Sequence, residues 1–230
     1  MKIYHVLTRG IEKRKIFLDK RDRLRFIHDL YEFNNEESVN ASQLFSRHQC
    51  YDVRRRNIGE EKGGEKKKRK LLVDIHVFAI MQNHYHLLLS PRVEKGIFLF
   101  MKKLNGGYAR YFNQRYTRKG PLFESRYKSI LIHNESHFIH IPYYIHCNRL
   151  DEIYPEWRKR ELKKPSHALE YLDHDRWSSH QDYIGKKNFP SVTQREFLLE
   201  YFGGSEGYQK SIDSWLRSFD LCDVAGETLE

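Results

Sequence analysis

Two histidines that flank one tyrosine, His84-Tyr85-His86, form the most suggestive chemical pattern in the sequence. An apolar run ending at Met81 precedes them and a second apolar run follows, and two such runs around a short polar turn predict a β-hairpin. Because side chains alternate between the faces of a strand, His84 and His86 share one face and Tyr85 lies on the other. Two adjacent imidazoles supply half of a metal site. In a chain with 13 histidines, surface histidines that only form hydrogen bonds are the alternative explanation.

A second pattern lies in the predicted helix that contains Tyr144 and Asn148. These two residues are four positions apart, so they are neighbours on one helix face. Asn148 offers a carbonyl oxygen to a metal, and Tyr144 offers an oxygen nucleophile. A core tyrosine and an asparagine that ends the helix explain the same spacing, and on spacing alone this structural interpretation is preferred.

Composition narrows the class of protein. The chain has 230 residues, of which 39% are hydrophobic and 14% aromatic, enough for a substantial core. Its net charge of +10 favours an anionic partner over a merely soluble basic protein. No apolar stretch is long enough to span a membrane and no signal peptide is recognisable, so nucleic acid is the expected partner and the cytoplasm the expected location. The three cysteines lack CxxC spacing, which favours a reducing compartment and argues against a structural zinc.

The predicted elements follow the order β-α-β-β-α-β. They are a strand at residues 3–8, a helix from an Asp19 cap to about Asn34, hairpin strands at 72–80 and 84–90, a helix at 94–116 and a strand at 122–132. This order is typical of a ferredoxin-like (RRM-like) antiparallel sheet of the α+β class, with both helices on one face. The second face of such a sheet is expected to be free for a ligand.

The predicted organisation is a domain of residues 1–150 followed by a helical extension, residues 151–230, that packs on it. Residues 36–70 lack a clean period and end in a basic run, which indicates a surface insertion. A further helix begins near Asn134, and Pro142 inside it predicts a kink or a fresh start. Gly106-Gly107 within the 94–116 helix predicts either a kink or a close approach by a ligand or a neighbouring backbone.

Read together, these segments resemble the single-tyrosine HUH transposases, specifically the REP-associated branch that acts on palindromic bacterial repeats. The resemblance covers most of the chain except the insertion and the last residues. The matching pieces are Tyr4-His5-Val6, Arg9-Gly10, Ile16-Phe17, Met81-x-Asn83-His84-x-His86-Leu87-Leu88-Leu89, Met101-x-x-Leu104, Tyr108-x-x-Tyr111-Phe112-Asn113, Gly120-x-Leu122-Phe123-Glu124-x-Arg126-Tyr127-Lys128-Ser129, Tyr144-Ile145-His146-x-Asn148, Arg176-Trp177-Ser178-Ser179, Asp182-Tyr183-x-Gly185 and Phe197-Leu198-Leu199-x-Tyr201-Phe202.

The resemblance implies the HUH endonuclease fold with an added nucleophile helix and C-terminal helices. It implies one divalent metal, Mg²⁺ or Mn²⁺, held by His84, His86 and Asn148, and Tyr144 as the nucleophile. The tyrosine attacks a phosphodiester of single-stranded DNA and gives a 5′-phosphotyrosyl enzyme and a free 3′-hydroxyl. A phenol with a pKa of about 10 needs such help at neutral pH, and a divalent ion polarises the phosphate for in-line attack.

Three residues depart from the family's pattern without removing a proposed ligand or the nucleophile: Gln82, Cys147 and Arg149. Pro142 stands just before the tyrosine pair and predicts a shift of helix register. Tyr143 is therefore the fallback nucleophile, although the residue four positions after it is Cys147, a poor magnesium ligand.

The expected function is a metal-dependent single-stranded DNA transposase that cleaves and rejoins hairpin DNA of the REP-like palindromic type, acting as a monomer or homodimer. The alternatives are a domesticated protein that binds DNA hairpins without cutting them and, third, an RNA-binding ferredoxin-like domain. The latter should carry aromatic side chains where His84 and His86 stand. The expected DNA contacts are Arg9, Lys102, Lys103, Asn113, Arg126, Lys128 and Arg149.

Overall fold

A four-stranded antiparallel sheet lies at the centre of the protein, whose computed structural model describes residues 1–37, 69–159 and 161–218. The strands are β1 (Tyr4–Arg9), β2 (Val73–Ile80), β3 (His84–Pro91) and β4 (Lys128–Leu131), in the spatial order β2-β3-β1-β4. The two central strands carry the histidines discussed below, His5 on β1 and His84 and His86 on β3. Most of the predicted 36–70 insertion (residues 38–68) lies outside the described residues.

Two helices complete the β-α-β-β-α-β order within the described residues, and the predicted fold class is confirmed. α1 (Lys20–Glu32) follows β1, and α2 (Gly96–Arg115) follows β3. The predicted Asp19 cap is present, because its side chain accepts a hydrogen bond from the backbone N–H of Asp22 at 3.0 Å.

Both helices pack on one side of the sheet, called here the helix face. Strand residues Phe78, Tyr85 and Leu87 are fully buried there against Phe26 of α1 and Tyr108 of α2. Alternation along the strands turns these apolar side chains to one side and leaves their neighbours on the other. The helix face therefore supplies an apolar core, and the opposite face is available for polar chemistry.

Gly107 marks the closest approach between the two helices. A Cβ atom on Gly107 would lie 2.4 Å from the ring of Phe33, the residue that ends α1. The glycine pair thus reflects contact with a neighbouring aromatic ring, and α2 runs through it without interruption. Gly106 has no such neighbour, since a Cβ atom there would meet nothing within 4 Å.

The opposite side of the sheet, the site face, carries His5 of β1 and His84 and His86 of β3. It is largely covered, contrary to the expectation of a free second face. The covering elements are α3 (Glu135–Cys147), α4 (Pro165–His174), α5 (His180–Tyr183), α6 (Glu196–Tyr201), α7 (Gly204–Ser218) and the 3-10 helices Asn148–Glu152 and Pro155–Lys159. Within the described ranges, no helix is both long and apolar enough to cross a membrane.

A single apolar cluster joins the sheet to the tail on this side. Val77 and Leu88 of the sheet and Ile141 of α3 belong to the same buried group as Leu172 of α4 and Ile212 of α7. The tail also bonds to the edge of β2, where the Ile80 N–H donates to the Trp177 carbonyl at 2.9 Å and the Ser179 N–H to the Phe78 carbonyl at 3.0 Å. These bonds protect an otherwise open sheet edge.

The last strand is shorter than predicted. Residues 122–132 were expected to form one strand, yet β4 spans only Lys128–Leu131. β1 pairs with it at Leu7–Lys128 and again with an isolated bridge at Gly10–Phe123. Between these two pairs, two residues (8–9) on one side lie opposite four residues (124–127) on the other. Residues 124–127 therefore cannot all pair with β1, and this unequal spacing interrupts the strand although its composition is strand-like.

The helix α3 runs from Glu135 through Pro142 to Cys147 as one element, without the fresh start that the proline predicted. The backbone at Cys147 is helical, and the 3-10 helix Asn148–Glu152 follows directly. The spacing between Tyr144 and Asn148 is therefore preserved across the change of helix type.

Candidate functional site

His84 and His86 lie next to each other on the site face of β3, with ring centroids 5.1 Å apart. The Nδ1 atom of His84 bonds to Asn83 Oδ1 at 2.6 Å, and the Nδ1 atom of His86 bonds to His5 Nε2 at 2.8 Å. Each ring is thus fixed through Nδ1. The Nε2 atoms of His84 and His86 are buried and have no hydrogen-bond partner among the residues that the structure describes.

Burial keeps these rings neutral. It lowers the pKa of His84 to about 3, and the positive charges of Arg9, Arg158 and Arg149 contribute to this shift. Burial also holds the pKa of His86 well below its usual value, with smaller contributions from His5 and His84. A neutral imidazole with a bare nitrogen is the form that ligates a metal.

Tyr144 lies beside the histidines. Its ring meets the rings of His5 and His86 edge-on, at centroid distances of 6.3 and 6.4 Å. Asn148 follows one turn later, and its side-chain N–H donates to the Tyr144 carbonyl at 2.9 Å. Tyr144 is 1% exposed and Asn148 is fully buried, so in this conformation the predicted nucleophile and the predicted third ligand are closed off from solvent.

Tyr143 points in the opposite direction. Its ring packs against Phe202, Tyr208 and Trp215 of the tail, at centroid distances of 5.3 to 5.8 Å. Burial raises the pKa of the Tyr143 phenol to about 12, which works against its use as a nucleophile. Of the two adjacent tyrosines, Tyr144 is the one whose ring contacts His5 and His86.

Arg158 is a site residue that the motifs did not indicate. It lies in the 3-10 helix Pro155–Lys159 and donates to the Tyr144 hydroxyl at 3.1 Å and to the Asn148 side-chain oxygen. Its guanidinium also binds the Asp151 carboxylate, at 2.8 and 2.7 Å. The sequence shows only a basic run from Arg158 to Lys164, which gives no reason to single out its first member.

The donor set suits a divalent ion with mixed nitrogen and oxygen ligands. The Nε2 atoms of His84 and His86 lie on β3 without a described partner, and Tyr144, which contacts the ring of His86, is bonded to Asn148 one turn later. Among the described residues, no group of three or more His, Cys, Asp and Glu side chains is placed to hold a metal. The candidate site consists of His84, His86, Asn148 and Tyr144.

Three of the predicted DNA contacts lie at the strand ends beside this site. Arg9 pairs with His84 across β1 and β3, and Lys128 pairs with Leu7 across β1 and β4. Arg126 and Lys128 are exposed, and Arg9 is partly buried. These groups form a basic rim on the sheet near the histidines.

The other four predicted contacts lie elsewhere. Lys102 is exposed on α2, on the far side of the sheet, and Lys103 donates to the Asn35 carbonyl at 2.6 Å. Asn113 donates to the Gly120 carbonyl at 2.9 Å and accepts from Arg118, which fixes the turn after α2.

Arg149 corrects the sequence-based expectation most clearly. It is 1% exposed and holds the tail, with its guanidinium bound to Asp175 at 2.8 Å, to Glu152 at 2.9 Å and to the Ile80 carbonyl at 2.7 Å. A side chain so enclosed is unavailable to a phosphate. The residue faces the core because the helix continues past Asn148, a turn that local sequence alone does not reveal.

A basic loop also lies beside the site. Its backbone is bonded to the hairpin turn, where the Gly10 N–H donates to the Asn83 carbonyl and the Ile16 N–H to the Gln82 carbonyl, both at 2.8 Å. The exposed cations that it and the start of α1 present are Lys13, Lys15, Lys20 and Arg21. Charge density in residues 13–23 was the available signal, but a charged helix start is common enough to be overlooked.

The comparisons with known proteins agree with the family resemblance. Residues 54–148 match the model of the family described as "Transposase IS200 like". This range contains the histidine pair, Tyr144 and Asn148, and it ends ten residues before Arg158. No sequence among the curated proteins matches the chain.

One solved structure is similar over most of its length. It is described as a REP-associated tyrosine transposase bound to a REP hairpin, with 10% sequence identity and a TM-score of 0.44, and the match covers 83% of this chain and 84% of that one. The match of residues 54–148 shows that this part of the chain is similar to IS200-like transposases, in agreement with the resemblance found in the sequence.

Proposed function

We propose that the protein is a metal-dependent single-stranded DNA transposase that cuts and rejoins DNA at hairpin sequences through a 5′-phosphotyrosine intermediate. One observation supports this function above others. The neighbouring imidazoles of His84 and His86 each have a buried Nε2 without a described partner, and Tyr144 contacts the rings of His86 and His5. A buried polar atom left unpaired is costly, about 1–3 kcal/mol, and such an atom requires an explanation. A bound ligand is the simplest one.

His84 and His86 would hold the ion through Nε2, and Asn148 would hold it through its side-chain oxygen. His5 and Asn83 keep the two rings in the orientation that exposes Nε2 to the site. A bound Mg²⁺ or Mn²⁺ supplies Lewis-acid polarisation of the scissile phosphate. Mn²⁺ is the better probe, because it is paramagnetic and accepts nitrogen ligands.

Tyr144 would attack the phosphorus, so that a phosphotyrosyl bond forms and the bond between phosphorus and the 3′-oxygen breaks. The phenolic proton goes to solvent and the leaving 3′-oxygen takes up a proton. The 5′ end stays on the protein, and attack by a 3′-hydroxyl in the reverse sense rejoins a strand. Because the bond energy is stored in the phosphotyrosyl link, no nucleotide cofactor is needed.

The proposed substrate contacts are the basic rim (Arg9, Arg126 and Lys128) and the basic loop. Both lie at the strand ends and the hairpin turn next to His84. Phosphate contacts of this kind give affinity without sequence specificity and make it strongly dependent on salt. A hairpin stem with a single-stranded flank suits this layout, since the stem can follow the rim while the flank reaches the site.

The direct test is a cleavage assay with end-labelled hairpin DNA that carries a single-stranded flank. We expect a nicked product and a protein-linked band in Mn²⁺ or Mg²⁺, none in excess EDTA, and restoration when metal is added back. Full activity in EDTA would refute the metal site. Binding to random duplex as tight as to hairpin DNA at physiological salt would refute the proposed substrate.

A second candidate, a protein that binds DNA hairpins without cutting them, is favoured by the closed state of the site. Tyr144 and Asn148 are buried and both are bonded to Arg158. The same assay separates the two functions, because this candidate predicts tight hairpin binding with intact DNA in every metal tested.

A further inference from the structure

Arg158 contacts two of the four residues of the candidate site, Tyr144 and Asn148. Its Nη1 donates to the Tyr144 hydroxyl at 3.1 Å, and its Nη2 donates to the Asn148 side-chain oxygen. Its guanidinium also lies over the rings of Tyr144 and Trp157, 5.5 and 4.7 Å from their centroids. One cation therefore contacts both the proposed nucleophile and the proposed third ligand.

Asp151 holds this cation in place. Two atoms of the guanidinium, Nε and Nη2, bind the two carboxylate oxygens of Asp151 at 2.8 and 2.7 Å. Two-pronged pairs of this kind fix direction as well as distance, because the guanidinium is planar and its donors form a rigid fork. Arg158 is 25% exposed and Asp151 28%, so the pair lies at the boundary between the site and solvent.

The position of Arg158 conflicts with that of a divalent ion. Asn148 has one carbonyl oxygen for both, and a guanidinium and a divalent ion bound to one oxygen would be only a few ångströms apart. Repulsion between like charges at that distance is strong in a partly buried site.

We propose that Arg158 is a positioning residue that takes the place of the metal in the closed site, and that a divalent ion must displace its guanidinium from the Asn148 oxygen before the site is loaded. This inference rests on the proposed function, because it assumes that His84, His86 and Asn148 are the ligands. It adds that the affinity for metal is lowered by a group of the protein itself.

The test is a Mn²⁺ titration of the full chain without DNA, in which the electron paramagnetic resonance signal of free Mn²⁺ measures how much ion is bound. We expect Arg158→Met to bind Mn²⁺ roughly tenfold more tightly than wild type, because a competing cation is removed. Arg158→Lys keeps the charge but lacks the fork that reaches Asp151 and Asn148 together, so its affinity should fall between the two.

Arg92→Met is the matched control. Arg92 also forms an ion pair, with Asp74 at 2.6 Å, but it lies just beyond the end of β3 that is farthest from His84. Its loss should leave the Mn²⁺ affinity unchanged. Equal affinities for wild type and both Arg158 variants would overturn the inference, and Arg158→Lys keeps the test decisive if the methionine variant does not fold.

His84→Ala separates this failure from that of the proposed function. If His84→Ala leaves Mn²⁺ binding intact, the metal site itself is wrong and the proposed function fails with it. If His84→Ala abolishes binding while the Arg158 variants match wild type, only the competition is wrong.

A second readout follows the arginine directly. Because Arg158 stacks on Trp157, its displacement should change the fluorescence of this tryptophan when Mg²⁺ is added to wild type. The change should vanish in Trp157→Phe and in Arg158→Met. An unchanged spectrum in wild type at saturating Mg²⁺ would show that the guanidinium stays in place, against the proposal.

Discussion

His86 and His146 are both fully buried histidines near α3, and they differ in what their ring nitrogens touch. The two nitrogens of His146 are both paired, Nδ1 with the Tyr208 hydroxyl at 2.5 Å and Nε2 with the Ser179 hydroxyl at 2.7 Å. His86 pairs only Nδ1, with His5, and its Nε2 is left over among the described residues. Burial lowers the pKa of both rings well below the usual value, so neither burial nor pKa distinguishes them.

The unpaired Nε2 and the contact with Tyr144 therefore distinguish His86 from His146. His146 completes a structural group with Ser179 and Tyr208, called here the tail cluster. Adjacent residues of α3 divide in the same way, since Tyr144 contacts His5 and His86 whereas Tyr143 contacts Tyr208. α3 thus has one side that faces the candidate site and another that packs against the tail. Substitutions on the first side should affect metal binding and cleavage, and those on the second should affect stability.

The largest effect is expected at the two tyrosines. Tyr144→Phe removes one oxygen and keeps the ring, so the fold should persist while the denaturant-resistant protein–DNA band is abolished. Tyr143→Phe should retain the band, because that ring packs against Tyr208 of the tail cluster. Gel electrophoresis of labelled DNA after denaturation measures both. If Tyr143→Phe abolished the band and Tyr144→Phe kept it, Tyr143 would be the nucleophile. If DNA were still cleaved in both variants, the nucleophile would be water.

A second contrast compares the histidines themselves. His84→Ala or His86→Ala should weaken Mn²⁺ binding and cleavage by at least about 100-fold, with hairpin affinity largely kept. His146→Ala should keep the Mn²⁺ affinity but lower the free energy of unfolding by about 3 kcal/mol, since two buried hydroxyls lose their partner. Calorimetric titration and urea unfolding give the two quantities. If His86→Ala lowered the free energy of unfolding but kept the Mn²⁺ affinity, His86 would have a structural role like that of His146.

His5 should show an intermediate effect. It contacts the proposed ligand His86 through a 2.8 Å hydrogen bond and takes no direct part in the donor set. Its replacement by alanine should weaken Mn²⁺ binding by roughly 10- to 100-fold, the range typical of residues that orient a metal ligand. The control is His76→Ala, because His76 bonds to Ser90 and Gln194 away from the site. Equal losses in both variants would indicate a general effect on folding.

The smallest effect concerns acid stability of the tail cluster. Burial holds the pKa of His146 in the folded protein well below that of the unfolded chain, about 6.5, so the unfolded state binds more protons between the two values. The stability from the neutral ring is complete above pH 6.5 and is lost as the pH falls below it, by about 1.4 kcal/mol per pH unit. His146→Gln should flatten the pH dependence of urea unfolding by that slope. An unaltered slope would contradict a neutral buried ring.

Much of the fold is encoded locally and was predictable from sequence. The hairpin, the Asp19 cap and the helix predicted at 94–116 depend on short periods and neighbouring residues, and the structure has them close to where they were predicted. The alternation that places His84 and His86 on one face is local too. The family match, residues 54–148, includes the hairpin and α2 and leaves out the Asp19 cap.

The remaining features depend on contacts between distant residues. Arg149 is buried because Asp175, 26 positions away, meets it, and Arg158 enters the site because the chain turns back after Asn148. The covering of the site face by the tail and the break before β4 have the same origin. Periodicity cannot anticipate them, because each is decided by which segments meet in space.

Leu88 and Ile141 belong to one buried cluster with Leu172 and Ile212 of the tail. This cluster sets the minimum length of a fragment that could fold by itself. A fragment cut at residue 150 would keep every proposed ligand and the nucleophile, yet it would expose a broad apolar surface to water and tend to aggregate. A shorter protein engineered from this chain would need polar substitutions on that surface. The smallest folding unit is therefore longer than the segment that carries the proposed ligands and the nucleophile.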